Sequence, residues 1–296
     1  MRIIGRIYKT QNKYRLIEIK TYNRILYLHF QSGQFSQFRR YLYPGTYIDL
    51  DYDDEKSFTK NGIASFFVNY VHQIYRFNMF QKILYYDKSE LNSSLADFLN
   101  SLGNIMFLDL EMTMPSYNFS GKGYRMEIIQ AGYVLVNGQG NEISRYNNYI
   151  QPKIHKDISN RTLDFLKLTR EEFHQKAIPY NEFYEEFKML VLKYQPSILI
   201  FGKNDKLILN DSFEIHEVEN LSDRIRYVNL CKLIQTYYHL KNEPGLFKLY
   251  QTYYKNDEIQ VHDAFNDSYV TMAVFNAFKK DVEHKTDFYT IIKEKF

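Results

Sequence analysis

Hydrophobic positions change their period along this chain. Over residues 2–8, 14–20 and 24–30, apolar residues alternate with polar ones or gather in short blocks between turn-like residues, which reads as strands. After Gly33 and the aromatic stretch 35–42, Pro44-Gly45 marks a turn into a further strand over 46–50. An acidic loop follows over 51–55, and 62–77 is apolar and aromatic enough for one or two more strands. Five or so short strands in this space point to a small barrel such as an OB-fold. Then the period lengthens. Leu91, Leu95, Phe98, Leu99 and Leu102 fall on one face of a helix predicted over 87–103, with Ser89 as its N-cap and Gly103 as its stop.

Past that helix, residues 105–108 form an apolar run suited to a buried strand, and 115–124 is a polar, glycine-containing loop. A second strand over 128–136, the turn Asn137-Gly138-Gln139-Gly140 and a third strand over 142–150 complete a meander that Pro152 ends. Asn181 can cap a helix whose apolar face is Phe183, Phe187, Leu190, Val191 and Tyr194. Ser197-Ile198-Leu199-Ile200-Phe201, flanked by Pro196 and Gly202, reads as a short buried strand. Strands first and αβ units afterwards predict an α/β domain with a mixed sheet. The expected organisation is a β-rich domain over 1–86, a connecting helix over 87–103 and an α/β domain over 104–296.

Composition narrows this picture in three ways. The chain has 28 Tyr and 23 Phe without a Trp, an abundance that A/T-rich coding can produce, so ring content alone is no argument for base stacking. Tyr8, Tyr14, Phe30, Phe38 and Tyr41 are candidate platforms, but in a Tyr-rich chain ordinary core or surface packing is the better explanation of each. The single cysteine, Cys231, excludes an internal disulfide and a cysteine-built zinc cage, and its apolar neighbours suit a buried small residue. The short apolar run at Met1-Arg2-Ile3-Ile4 is no signal peptide and no segment approaches a membrane span, so a soluble, cytoplasmic protein is expected. The net charge of +3 conceals an asymmetry, with 14 basic against 9 acidic residues over 1–103 and 24 against 26 in the remainder. A basic first domain suits a polyanion such as nucleic acid, and equally a surface that is basic only for solubility.

The candidate chemistry starts at Phe107-Leu108-Asp109-Leu110-Glu111. Residues two apart in a strand share a face, so Asp109 and Glu111 project together from the strand's C-terminal end. Such a pair is either a solvated strand end or half of a site for a hard divalent cation. Asp205 follows the strand at 197–201 by a few residues, where open α/β sheets bind ligands. Val261-His262-Asp263-Ala264-Phe265-Asn266-Asp267 leads into a final helix, with Ala264 small enough for close approach to a strand.

This order resembles the DEDDh branch of the DnaQ-like 3′→5′ exonucleases: D-x-E at a strand end, Gly then Asp after a second strand, and H-x-A-x-x-D opening a last helix. The resemblance covers residues 104–279. Met126-Glu127-Ile128-Ile129-Gln130-Ala131-Gly132 looks like that family's second strand, Leu168-Thr169 with Ala177 like its L-T…A segment, and Gly245-Leu246-Phe247-Lys248-Leu249 like its G-L-x-x-L helix. Thr113-Met114-Pro115 and Gly123-Tyr124 are similar to the KapD-like and RNA-trimming members in particular. The resemblance implies an RNase H-like five-stranded mixed sheet flanked by helices. It implies metal binding by Asp109, Glu111, Asp205 and Asp267, with His262 as general base. Two divalent cations, Mg²⁺ or Mn²⁺, suit an all-oxygen ligand set and a phosphodiester's attacking and leaving oxygens.

The function so implied is metal-dependent 3′→5′ exonuclease action on single-stranded RNA or RNA 3′ overhangs. The competing readings are a DNA-directed exonuclease of repair or proofreading type, and a nucleic-acid-binding scaffold without turnover. Single-stranded RNA is the expected partner, with no membrane and no assigned protein partner. Asp263 reads as a helix cap, Glu127 as a residue outside the catalytic set that either closes the strand's entry or touches substrate, and Asp211, Glu214, His216, Glu217 and Glu219 as a solvated surface loop; His155 and His239 carry no site spacing. Met112 and Leu110 are candidates to flank a terminal nucleotide, Leu110 equally one for core packing. Two departures from the family stand out: the added N-terminal domain, and the lack of tryptophan in Phe201-Gly202-Lys203-Asn204.

Overall fold

The structure, a computed structural model of the chain, describes residues 1–21, 24–60, 62–79, 81–121, 123–256, 263–284, 286, 288, 291–292 and 295–296. It divides into two compact units, Met1–Ala96 and Asp97–Phe296, and the division falls inside the connecting helix.

In the first unit, β1 (Arg2–Gln11), β2 (Leu16–Lys20) and β3 (Ile25–His29) form an antiparallel meander. Helix α1 (Ser32–Phe38) follows, then β4 (Tyr47–Lys60), β5 (Ile63–Phe77) and β6 (Lys82–Asp87). β4 pairs with β1 and with β5, and β5 meets β3 in parallel where Leu28 and His29 face Phe66 and Phe67. Strands β1, β2, β3, β5 and β4 thus close into a ring, the small barrel that the strand pattern predicts, and β6 extends it from β5. Closure removes the unpaired edges that short strands otherwise expose. Strand alternation fills the barrel: Ile7, Ile17, Ile19, Leu28, Ile48, Leu50, Val68 and Ile74 point in, and α1 adds Phe35 and Phe38.

Two local expectations change here, and the reading of the aromatic rings narrows. The acidic stretch 51–55 belongs to β4 and is no loop; its pairing with β5 jumps from Tyr52–Val68 to Ser57–Phe66, so the intervening residues bulge outward. Carboxylates beside the bulge are held, Asp49 by both nitrogens of the Arg2 fork at 2.8 and 2.7 Å and Asp51 by His72 at 2.7 Å. Of the rings offered as base platforms, Phe30 and Phe38 are core residues, and Tyr41 stacks on Tyr85. Helix α2 (Lys88–Asn100) takes its cap from Asp87 and not Ser89, because Asp87 Oδ1 accepts both the Ser89 N–H and hydroxyl, at 2.8 and 2.6 Å.

In the second unit, β7 (Ile105–Met112), β8 (Ile128–Val136) and β9 (Glu142–Tyr149) form the expected meander. Helices α3 (Asn160–Leu166), α4 (Arg170–Lys176) and α5 (Tyr180–Tyr194) lead to β10 (Ser197–Ile200), which runs parallel to β7. Helix α6 (Asn204–Ile215) and β11 (Arg226–Asn229) continue the αβ pattern, and α7 (Leu230–Tyr237), α8 (Leu246–Tyr254) and α9 (Ala264–Val282) follow. The sheet order β11-β10-β7-β8-β9, with parallel and antiparallel neighbours, is the mixed five-stranded α/β sheet of the RNase H-like expectation. Met106, Leu108 and Leu110 pack on one face with Phe183 and Phe187 of α5 and Leu209 and Phe213 of α6. Phe107 points the other way and meets Phe275 of α9, ring centroids 5.5 Å apart.

Pro179, not Asn181, stands at the N-cap of α5; its fixed φ and missing N–H suit a helix start, leaving Asn181 inside the first turn. The acidic group after Asp205 is a loop only in part: Asp211 and Glu214 lie on the exposed side of α6, His216 stacks on Tyr180 at 3.7 Å, and Glu217 and Glu219 are exposed in the turn and loop that follow the helix. Burial pushes the His216 imidazole down to about 4. Cys231 is buried at the start of α7. Among the described residues, no helix is long and apolar enough to cross a membrane.

Candidate active site

Strand alternation does the first part of the assembly. Asp109 and Glu111 leave β7 on the face opposite Leu108 and Leu110, the face on which α9 packs, and sit across from Gly132 and Gln130 of β8. Gly132 decides how near α9 can come. A Cβ there would lie 2.2 Å from the carbonyl carbon of Ala264 and 2.2 Å from the nitrogen of Phe265, so the helix start rests directly on bare strand backbone. Gln130 pins the same turn: it donates to Asp263 Oδ2 at 2.7 Å and accepts the Ala264 N–H at 3.3 Å. Asp263 in turn caps α9 by accepting the Asn266 N–H at 2.9 Å. One turn later Asp267 reaches the β7 pair, and the oxygens of Asp109, Glu111 and Asp267 lie within 4.8 Å of one another.

Asp205 arrives from the other side. β10 stops at Ile200, and Gly202, at φ +125°, turns the chain into α6, whose first turn carries Asp205. The pairing of β10 with β7 ends at Phe107, so the Leu110 N–H beyond it needs another partner; Asp205 Oδ1 accepts it at 3.1 Å. Asp205 therefore stands beside the β7 acids in an open cavity of about 220 Å³, together with Asp109, Glu111, Met112, Phe165 and Asp267.

Four carboxylates in partly desolvated surroundings raise one another's proton affinity. Burial, then the charges of Asp205, Asp267 and Glu111, hold Asp109 well above the usual carboxylate range. Burial, then Asp267 and Asp205, push Glu111 up to about 8. Burial pushes Asp205 up to about 6, against the pull of the Leu110 N–H. A cluster that otherwise takes up protons is a cluster that a cation can neutralise, and its donors are all hard oxygens, which fits Mg²⁺, Mn²⁺ or Ca²⁺ and disfavours softer metals. His262, the candidate base, lies outside the described residues.

A family model described as RNase_T, Exonuclease, matches residues 106–275, more than half of the 296-residue chain. The chain belongs to this exonuclease family. A similar protein is the probable 3′-5′ exonuclease KapD of Bacillus subtilis (strain 168), 20% identical over 182 residues that make up 61% of this chain and 87% of that one. Among solved structures, this exonuclease-family chain resembles cell-death related nuclease 4 with a TM-score of 0.51 and 16% identity, over 62% of this chain and 64% of that one. It resembles the nuclease domain of 3′hExo, a DEDDh family member bound to rAMP, with a TM-score of 0.50 and 18% identity, over 62% of this chain and 95% of that one. At such identities the structural likeness is one of fold.

Other residues of the exonuclease unit sort clearly. Glu127 is a buried brace, its two oxygens accepting the N–H groups of Lys153, Ile154 and His155 at 2.6 to 3.0 Å, and no part of the acid cluster. Leu110 packs in the core and, with Met112, also borders the cavity. His155 stacks on Tyr124 at 4.4 Å. Sequence reading missed Gln130 as the clamp on α9 and Phe165 as a cavity wall; a lone glutamine two residues before a glycine on an otherwise apolar strand is the signal that could have found the former.

Proposed function

We propose that this chain is a divalent-metal-dependent 3′→5′ exonuclease acting on single-stranded RNA or RNA 3′ overhangs. The observation that carries the reading is the convergence of Asp109, Glu111 and Asp267 within 4.8 Å, with Asp205 in the same open cavity. These four side chains would hold two divalent cations, Mg²⁺ or Mn²⁺. When bound, such ions supply charge stabilisation to the attacking and leaving oxygens of a phosphodiester. The protein's own groups do the rest. Asp205 is oriented by its bond to the β7 backbone. Met112 and Phe165 offer apolar walls beside the acids. His262, directly before the capping residue Asp263, would take the proton of the attacking water, a task to which imidazole chemistry is suited near neutrality.

The 3′→5′ direction is supported by the order of the acid and histidine motifs and by the name carried by KapD. The preference for RNA is supported by the likeness of Thr113-Met114-Pro115 to RNA-trimming members and by the fold shared with a nuclease domain that binds rAMP. The test is a 5′-labelled oligonucleotide offered as RNA and as DNA of one sequence. With Mn²⁺, RNA should shorten from its 3′ end faster than DNA, and chelation should stop it. Asp109→Asn should lower the rate by more than the ~10–100-fold typical of losing an outer-shell partner of a metal ligand. His262→Ala should lower it by about 10²–10⁴-fold. Intact substrate under every metal sinks the proposal; equal rates on RNA and DNA sink the preference.

A further inference from the structure

On the outer face of the first unit, strand register assembles a feature that sequence spacing hides. Arg6 of β1 is the cross-strand partner of Tyr47 on β4, Tyr47 of Tyr75 on β5, and Phe77 of Lys82 on β6. The Tyr47 and Tyr75 rings stack at 5.5 Å and 6° between planes. Phe77 sets its ring edge-on to both, at 5.4 and 5.5 Å. Lys82 holds its ammonium 4.0 Å from the centre of the Tyr75 ring. On the β1 side of the cluster the Arg6 guanidinium lies beside Gly45, 3.6 Å from where a Cβ there would stand.

Cross-strand ring pairs stabilise sheets, and that alone would account for Tyr47 and Tyr75. It does not account for Phe77, which leaves 54% of its surface exposed. Nor does it account for the charge. Neither Arg6 nor Lys82 forms an ion pair among the described residues. The nearby carboxylates are already engaged, Asp49 by the Arg2 fork, Asp51 by His72 and Asp87 as the cap of α2. The result is a ring cluster in which the exposed Phe77 stands upright against the stacked tyrosines, with a cation free of any ion pair at each end. Unpaired bases stack on exposed ring faces irrespective of sequence, while phosphates settle on flanking cations.

We propose that Arg6, Tyr47, Tyr75, Phe77 and Lys82 form a binding site for single-stranded nucleic acid on the N-terminal unit, separate from the acid cluster. The site deepens the nuclease reading by giving its substrate a second point of attachment, and it rests on that reading for the class of ligand. Binding is read without hydrolysis, so the two can fail separately. The full-length protein in EDTA is titrated into a fluorescein-labelled 15-mer of uridylate, followed by anisotropy across a salt series. Phe77→Ala, which removes a largely exposed ring, should weaken binding by ~5-fold or more, the low end for losing one stacked base. The double variant Arg6→Ala, Lys82→Ala should flatten the dependence of log K on log salt by about 1.4, the share of two phosphates on a single strand. Lys56→Ala, an exposed cation elsewhere on β4, should change neither. An RNA duplex of equal length should bind more weakly, since its bases are already stacked. The proposal is overturned if wild type does not bind in EDTA, if duplex binds as tightly, or if both patch variants bind within twofold of wild type with unchanged melting temperature. Loss of cleavage in Asp109→Asn with binding intact would leave the site standing whatever becomes of the RNA preference.

Discussion

At the scale of single residues, the acid cluster carries a thermodynamic signature that can be measured without substrate. Glu111 is raised to about 8 and Asp205 to about 6, so in the metal-free protein the folded state holds protons that the unfolded chain releases near pH 4–4.5. For an acid raised in this way, the associated stability is present below the unfolded pKa and is lost as pH rises through the folded one. In EDTA the melting temperature should therefore decline between about pH 5 and pH 8.5. Mg²⁺ or Mn²⁺ should raise it, and raise it more at pH 8 than at pH 5.5, because a cation binds the ionised acids and competes with protons. Equal stabilisation at both values would contradict a carboxylate metal site. Glu127 makes the contrast plain: equally buried, it is surrounded by backbone N–H donors and serves the loop at Lys153 to His155. Burial alone does not mark a ligand; the company of other acids does.

At the scale of elements, the site exists because a helix start rests on a strand. The approach of α9 to β8 depends on Gly132, where a side chain would meet backbone atoms of Ala264 and Phe265 at 2.2 Å, too close for any rotamer to relieve. Gly132→Ala should cost at least the ~1–3 kcal/mol of an overpacked core. It should also lower activity in the protein that still folds, since α9 carries Asp267 and displacement of its first turn opens the acid cluster. Thermal melts together with the oligonucleotide assay check both parts; a variant with wild-type stability and rate would show that the contact does not set the position of Asp267. Helix starts recur at this site. Asp205 enters through the first turn of α6 and Asp267 through that of α9, where the helix dipole favours negative charge.

At the scale of the whole molecule, charge and chemistry are divided between units. Nine Lys/Arg against the single acid Glu18 fill residues 1–48, whereas the exonuclease-family match covers 106–275, where acids and bases nearly balance. Electrostatic capture by the basic unit should appear in kcat/KM and not in kcat. With three phosphates held on a single strand, kcat/KM should fall about 20-fold between about 50 and 200 mM salt. Steady-state kinetics on a long oligonucleotide decide this, and a kcat/KM indifferent to salt would deny the basic unit a part in substrate capture.

Much of this was legible in the residues themselves. The barrel strands, the 105–150 meander and the acids Asp109, Glu111, Asp205 and Asp267 could be read from period and motif order, because side-chain alternation and buried-strand composition are local properties. The cap residues were not, since Asp87 and Pro179 compete with near neighbours for one role and only the backbone path chooses. Nor was the extended β4: charged residues argue for a loop until cross-strand partners such as Arg2 and His72 are seen to hold them. Residue order alone shows which carboxylates are available for metal chemistry and in what sequence they come. Only the tertiary structure seats α9 on β8 through Gly132 and Gln130, and brings Arg6, Tyr47, Tyr75, Phe77 and Lys82 together from four strands into one cluster. Contacts between distant segments depend on strand register and helix approach, and no local pattern encodes either.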